Sequence, residues 1–270
     1  MPELPEVETV VRGLQGENLP GREIISAEST WPRQIVTPSP DEFLHRIRGQ
    51  VVESLSRRAK YIIVKLNRDY LIIHLKMTGR LYMAPVGDEA GPYLRARFRF
   101  DDGRELRFSD MRKFGRLYLA ESLDLIESKL GPEPLSDDFT EDYLRRELAR
   151  RKAVLKPLLM NQAFLAGVGN IYADEALWSA RIDPRRKADT LEGDEVKRLY
   201  DAIRSVLRLG IDHEGASVNW YRKANGERGE HQDYLNAYDQ TGKPCQRCGN
   251  PIEKIRLAQR GTHYCPVCQH

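Results

Sequence analysis

Up to Cys245 this 270-residue chain has no cysteine. A disulfide framework therefore cannot hold that stretch, and its stability has to come from a buried core. Long apolar runs are missing too, and none approaches the length that spans a membrane. The opening MPELPEVE has neither a basic n-region nor an apolar run behind it, so no secretory signal is expected. A cytosolic location is the expectation. Neither sign of charge is in excess: 43 Lys and Arg face 40 Asp and Glu, for a net +3. That balance favours an anionic partner only where the basic residues cluster. Internal repeats and low-complexity tracts are absent. With 40% hydrophobic and 31% charged residues the composition is that of a globular protein, long enough for two domains.

What cysteine there is stands at the end. Cys245 and Cys248, then Cys265 and Cys268, form two C-x2-C pairs separated by 16 residues. Four thiolates so spaced can close a tetrahedron around one zinc ion. Two disulfides or four reduced thiols are the alternatives. A reducing compartment argues against disulfides, and a segment so poor in apolar residues needs a staple.

The remainder changes style along its length. Val7, Val10, Val11 and Leu14 recur at helical spacing, and Pro5 suits the first helical position with Glu6 and Glu8 in the first turn. Pro2 and Glu3 precede that helix with no structural task evident. KYIIVKL (60–66), YLIIHLKM (70–77) and LRARFRF (94–100), with a DDG turn at 101–103, predict a mainly antiparallel sheet to about residue 130. Arg95, Arg97 and Arg99 share one strand face, solvated or near phosphates. LGPEPLSDD (130–138) reads as a linker. Helical patterns follow to about 213. The stretch EDYLRRELARRKAVLKPLLMNQ carries Arg145, Arg146, Arg150, Arg151, Lys152 and Lys156; a later one aligns Val196, Leu199, Ile203 and Leu207. Residues 214–240 are polar and read as a mobile loop.

AGVGNIYADEALW (166–178) has two glycines of a dinucleotide fingerprint but not the third, and a helical segment rather than a strand precedes it. No nucleotide cofactor is expected. The better reading is two helices joined by a tight glycine turn, with Asn170 opening the second and backbone N–H groups there suited to a phosphate. The preceding Arg and Lys residues favour nucleic acid over an ordinary turn.

Pro2 gains a task if Met1 is removed. A terminal secondary amine has a pKa near 8, against about 10.4 for lysine, so more of it is nucleophilic at neutral pH. Its attack on a sugar C1′ gives a cationic iminium that promotes elimination, with Glu3 beside it as proton donor or acceptor.

Taken together, MPELPEVETV, RRAKY (57–61), HLKMTG (74–79), DMRKFGR (110–116), LGPEPL (130–135), AGVGNIYADEALW and the closing QRGTHYCPVCQ resemble the formamidopyrimidine-DNA glycosylases over essentially the whole chain. These are bifunctional base-excision repair enzymes. The resemblance implies an α+β, multidomain fold: an N-terminal β-sandwich with its leading helix (1–133), a helix–two-turn–helix domain with a lesion-recognition loop (134–235), and a zinc ribbon (236–270). It implies a monomer acting on damaged double-stranded DNA, with one structural zinc and no membrane contact. Pro2 would be the Schiff-base nucleophile, Glu3 the acid at the sugar ring, and Glu6 a support. Lys60 would act at β-elimination and Arg260 at δ-elimination, both touching phosphates. Asn170 and Lys152 would contact DNA. Met77, Arg112 and Phe114 would fill the gap left by the extruded base. Met77 and Phe114 could otherwise be core residues, and His74 reads as structural.

Some residues depart from the family pattern: Lys76 where glycine is usual, Tyr93 in place of a DNA-contacting histidine, and Val218, Trp220 and Tyr221 in the loop GASVNWYRKANGERGEHQ (215–232). They bear on lesion spectrum rather than chemistry. The sister endonuclease VIII branch, which prefers oxidised pyrimidines, is the alternative enzyme; PELPEVE, Met77 and Phe114 favour the formamidopyrimidine branch. A noncatalytic DNA-binding protein would be expected to lose Pro2, Glu3 or Lys60, and all three are present.

Overall fold

The computed structural model describes residues 1–218 and 220–270. The chain divides into two compact units, Met1–Ser128 with Glu214–Glu230, and Lys129–His213 with His231–His270.

The first unit begins with helix α1 (Leu4–Gln15). Leu4 takes the first helical position and Pro5 the second, one residue later than the sequence suggested, because Glu3 is the N-cap. Glu3 therefore does have a structural task. Its side chain accepts from the Glu6 backbone N–H, while the Glu6 Oε2 accepts from the Glu3 N–H at 2.8 Å, a reciprocal capping box. Val7, Val10, Val11 and Leu14 are at most 2% exposed. Burying each is worth about 1.5–3 kcal/mol.

Nine strands follow in one continuous sheet: β1 (Glu23–Ser29), β2 (Ile35–Thr37), β3 (Gln50–Arg58), β4 (Tyr61–Leu66), β5 (Tyr70–His74), β6 (Gly79–Pro85), β7 (Leu94–Phe100), β8 (Arg104–Asp110) and β9 (Arg116–Ala120). Helix α2 (Pro40–Arg46) lies between β2 and β3, and α3 (Asp124–Glu127) follows β9. The spatial order is β2-β9-β5-β4-β3-β1-β7-β8-β6, antiparallel throughout except for β2 beside β9. At the middle, β1 meets β3 through only two residue pairs, Glu23 with Val51 and Ile24 with Gln50. The sheet bends there into two halves that share one core. Ile62, Val64, Leu71 and Ile73 of one half pack in the same cluster as Phe98, Phe100, Leu106 and Phe108 of the other, with α1 over both. This is the expected β-sandwich. The alternation in LRARFRF holds, with Ala96, Phe98 and Phe100 buried. The opposite face is committed to the protein: Arg95 Nε donates to Asp110 O, Arg97 pairs with Glu28, and Arg99 with Glu105.

The second unit holds α4 (Glu141–Ala149), α5 (Leu155–Leu159), α6 (Asn170–Ala180), α7 (Asp194–Asp212) and the hairpin β10 (Glu253–Leu257) and β11 (Arg260–Tyr264). The basic stretch is not one helix. It breaks between Ala149 and Leu155, where Arg151 N–H already bonds back to Leu148 O. Nor is the glycine turn tight, since residues 160–169 separate α5 from α6. Helices α6 and α7 approach closely at Gly210, where an added Cβ would lie 2.5 Å from the Tyr172 ring.

Candidate active site and zinc centre

In the first unit the predicted acidic residues are held together at the start of α1. Glu3 and Glu6 are 3% and 1% exposed, and Pro2 is buried behind an exposed Met1. Glu6 serves two masters: Oε2 takes the Glu3 N–H, and Oε1 takes the Ala216 N–H at 2.8 Å. The 214–230 segment is thereby fixed to the chain start. It is also folded on itself, contrary to a mobile loop. Ala216, Ser217 and Tyr221 are buried. Ser217 Oγ donates to Tyr221 O and accepts from the Gly229 N–H. Tyr221 Oη donates to Glu214 O. Burial, aided by the Glu6 carboxylate, holds that phenol protonated well above its usual range. Gly215, at φ +79, admits no side chain: a Cβ would sit 2.9 Å from Glu6 Cγ. Trp220 alone of the segment's aromatics is open, at 58% exposed.

Lys60 is only 4% exposed and so is no solvated strand end. Near it stands His74, buried, its ring edge-on to Tyr61 at 4.8 Å. Burial, together with the charges of Lys76 and Lys60, pushes the His74 imidazole down to about 3. It is neutral, and its Nδ1 accepts the Lys76 N–H at 3.0 Å. That is the structural role expected. Lys76 itself has φ +53, the left-handed region that glycine favours. A glycine would take this conformation without cost, and the lysine is accommodated against that preference.

Met77, Arg112 and Phe114 come together as predicted. Met77 and Phe114 are 42% and 43% exposed and are not core residues. Arg112 bridges them: Nη1 donates to Met77 Sδ at 3.2 Å, and its guanidinium carbon lies 4.7 Å from the Phe114 ring centroid. Asp110 holds the two loops in register and was missed by the sequence reading. It is 1% exposed; one oxygen takes the Thr78 hydroxyl and the Arg112 N–H, the other the Gly115 N–H at 2.7 Å. An aspartate closing a strand just before a turn was the available signal.

In the second unit Asn170 opens α6 as predicted, and its Nδ2 donates to Gly261 O at 3.1 Å. The side chain of Asn170 is therefore tied to the residue after Arg260. Arg260 begins β11 and is exposed, as is Lys152. Lys156 differs from its basic neighbours. It is 1% exposed, pairs with Asp174 at 2.7 Å, and donates to Gly261 O and Thr262 Oγ1. Asp174 also receives the His263 N–H and faces its Nδ1 at 2.9 Å. This buried group fixes the β10–β11 hairpin to α5 and α6. No local pattern connects positions 156, 174 and 263, so the sequence could not have revealed it. Lys156→Met should lower stability by about 3 kcal/mol, because Asp174 is left buried without its cation. A chemical unfolding curve checks this; an unchanged midpoint would contradict the ion-pair reading. Glu175, fully buried, accepts the Asn236, Ala237 and Tyr238 N–H groups and fixes the chain leading into the ribbon.

The four cysteine sulfurs all lie within 4.8 Å of one another. This donor set suits one zinc ion in a closed tetrahedral shell. Outer contacts are in place: the Trp178 indole donates to Cys245 Sγ at 3.4 Å and the Cys268 N–H to Cys265 Sγ at 3.4 Å. Burial alone would raise the Cys245 thiol, but the Arg247 N–H and Trp178 outweigh it and bring it down to about 6. Arg247 stacks over Trp178 at 3.7 Å.

Three family models match in sequence: the formamidopyrimidine-DNA glycosylase N-terminal domain over residues 1–117, the H2TH domain of the same enzymes over 130–221, and the zinc finger found in FPG and IleRS over 242–270. The formamidopyrimidine-DNA glycosylase of Herpetosiphon aurantiacus is 48% identical over the full length of both chains. That of Protochlamydia amoebophila is 45% identical over 100% of this chain and 99% of its own. Among solved structures, a Lactococcus lactis FPG mutant in complex with a Fapy-dG containing DNA superposes with a TM-score of 0.93 at 37% identity, covering 99% of both chains. The L. lactis enzyme with an abasic site containing DNA gives 0.92 at 37% identity. No helix of this chain is long and apolar enough to cross a membrane. With three family models matched along its length and full-length relatives at 45% and 48% identity, the chain belongs to the formamidopyrimidine-DNA glycosylase family.

Proposed function

We propose that this protein is a DNA glycosylase and AP lyase that removes oxidised purines, 8-oxoguanine and formamidopyrimidines, from duplex DNA. The observation that carries the reading is the buried Glu3–Glu6 pair at the head of α1, directly after Pro2. After loss of Met1, the Pro2 amine attacks C1′ and the glycosidic bond breaks. The base leaves with a proton, and the sugar remains as a cationic iminium. Glu3 supplies the proton to the ring oxygen as the ring opens. Glu6 keeps Glu3 in place through its backbone. Loss of a C2′ proton then expels the 3′ phosphate, with Lys60 assisting, and a second elimination, assisted by Arg260, expels the 5′ phosphate. Asn170 and Lys152 hold phosphates, while Met77, Arg112 and Phe114 occupy the space of the extruded nucleotide. Zinc supplies no chemistry: with four thiolates its shell is closed, and its task is to shape the hairpin that bears Arg260. We assign these tasks to three segments, 1–133, 134–235 and 236–270, in a monomer working at the bacterial nucleoid.

Borohydride reduction during turnover of an 8-oxoguanine duplex tests the scheme. A covalent protein–DNA adduct should form and map to the residue after Met1. An adduct on Lys60, or an active enzyme that retains Met1, would refute it. A panel of single lesions should rank oxidised purines first; a preference for oxidised pyrimidines would move the protein to the endonuclease VIII branch.

A further inference from the structure

The loop that carries Arg112 and Phe114 is gripped at its tip as well as at its base. Lys113, between those two residues, has φ +59, a conformation that costs a lysine backbone strain. Its Nζ lies 4.3 Å from the centroid of the Trp31 ring. Trp31 is half-buried and stands on a hydrogen-bonded segment. The next turn, Pro32–Gln34, ends in a glutamine only 1% exposed. Gln34 Nε2 donates to Ser29 Oγ at 2.9 Å and to Arg95 O at 2.8 Å. The Thr30 N–H also reaches Arg95 O, and the Thr30 hydroxyl reaches Leu94 O. Trp31 is thus fastened to β7. The loop's base refers to the same strand, because Arg95 Nε donates to Asp110 O at 2.9 Å. Base and tip are therefore both referred to β7, with the exposed Arg112 and Phe114 near the tip.

We propose that Trp31 is a positioning residue for base extrusion: by holding the Lys113 ammonium over its ring it keeps Arg112 and Phe114 arranged before DNA arrives. A cation over an indole face is attracted by the ring's quadrupole, and pre-ordering the loop lowers the ordering penalty at insertion. Trp31 is not itself required to touch the reacting atoms. This inference rests on the reading of Phe114 as a wedge.

Two measurements test it and separate its failure from that of the wedge reading. The first needs no DNA. Lys-C cleaves after Lys113, and a held ammonium resists it. Trp31→Ala should be cut there about two- to fivefold faster, the range a partly exposed cation–π contact supports, while Trp31→Phe stays near the parent. An unchanged cleavage rate in Trp31→Ala overturns the clamp whatever the DNA results. The second compares single-turnover excision of 8-oxoguanine opposite cytosine with nicking of a preformed abasic site. Trp31→Ala and Lys113→Met should each slow the first about two- to fivefold and spare the second, with no further loss in the double variant and recovery in Trp31→Phe and Lys113→Arg. If Phe114→Ala shows the duplex-specific loss and Trp31→Ala does not, the proposal is wrong and the wedge stands. If Phe114→Ala shows none, the wedge reading fails and the positioning role fails with it. Lys113→Met weakening damaged and undamaged duplexes alike, with a shallower salt dependence, would instead make Lys113 a phosphate contact and overturn the proposal.

Discussion

Cys265→Ser is expected to abolish DNA binding and to loosen the second unit well beyond the ribbon. Structural zinc in finger peptides contributes about 10–16 kcal/mol to folding at neutral pH, which is as large as the whole stability of a typical domain, about 5–15 kcal/mol. The ribbon is not a separate appendage. Lys156 donates to Gly261 and Thr262, His263 binds Asp174, and Trp178 packs with Cys245, Cys265 and Ile252. Opening the hairpin withdraws partners from Lys156 and Asp174 and uncovers Trp178. Hydrogen exchange should therefore accelerate in α5 and α6 as well as after residue 242. The first unit has its own core and should keep its sheet signal. Zinc content, exchange and affinity measured on one sample decide the matter. Fast exchange confined to the last thirty or so residues would refute the coupling, and normal cleavage by a zinc-free variant would refute the architectural role of the metal.

Glu3→Gln should slow base removal by about 10²- to 10⁴-fold, the usual worth of a positioned acid. Nicking of a preformed abasic site should fall far less, because no base has to leave and the hemiacetal ring exchanges on its own with an aldehyde that the amine can attack. The substitution separates chemistry from structure. A glutamine oxygen can still accept the Glu6 N–H, so the capping box survives, and only the charge at the helix start is lost, worth about 0.3–1 kcal/mol. Thermal unfolding should hardly move. Glu3→Ala, in contrast, should also lose about 0.5–2 kcal/mol of cap stability. Equal rate losses on the two substrates would remove Glu3 from the acid role.

What the sequence disclosed was local. Alternation in LRARFRF, the apolar face of α1 and the C-x2-C pairs each report their own few residues, and each matches the structure. Met77 and Phe114 were suspected of lying outside the core through the family resemblance, since apolar side chains alone would read as buried. What stayed hidden depends on separation along the chain. Nothing near Glu6 foretells the Ala216 N–H, 210 residues on, so the 214–230 segment read as loose although Tyr221 lies in the first core. Lys156 read as one more surface cation because its neighbours are; only Asp174 and the β11 backbone take it inside. The break between α4 and α5 was missed because the stretch lacks glycine, and its one proline, Pro157, lies within α5. Asp110 was within reach, since a strand-ending aspartate before a turn is a recognisable signal.

The path of the backbone has a consequence for how such a protein can be divided. The chain passes from one unit to the other three times, after Ser128, after His213 and after Glu230. No single cut, by protease or by gene truncation, releases either unit whole. A fragment ending at Ser128 would lack both Tyr221 and the Ala216 N–H that Glu6 uses. Recombination between relatives at the 130 linker would mate one parent's α1 with the other's 214–230 segment, inside a single core. The two halves are thus constrained to be inherited together, even though a map of the sequence makes them look separable.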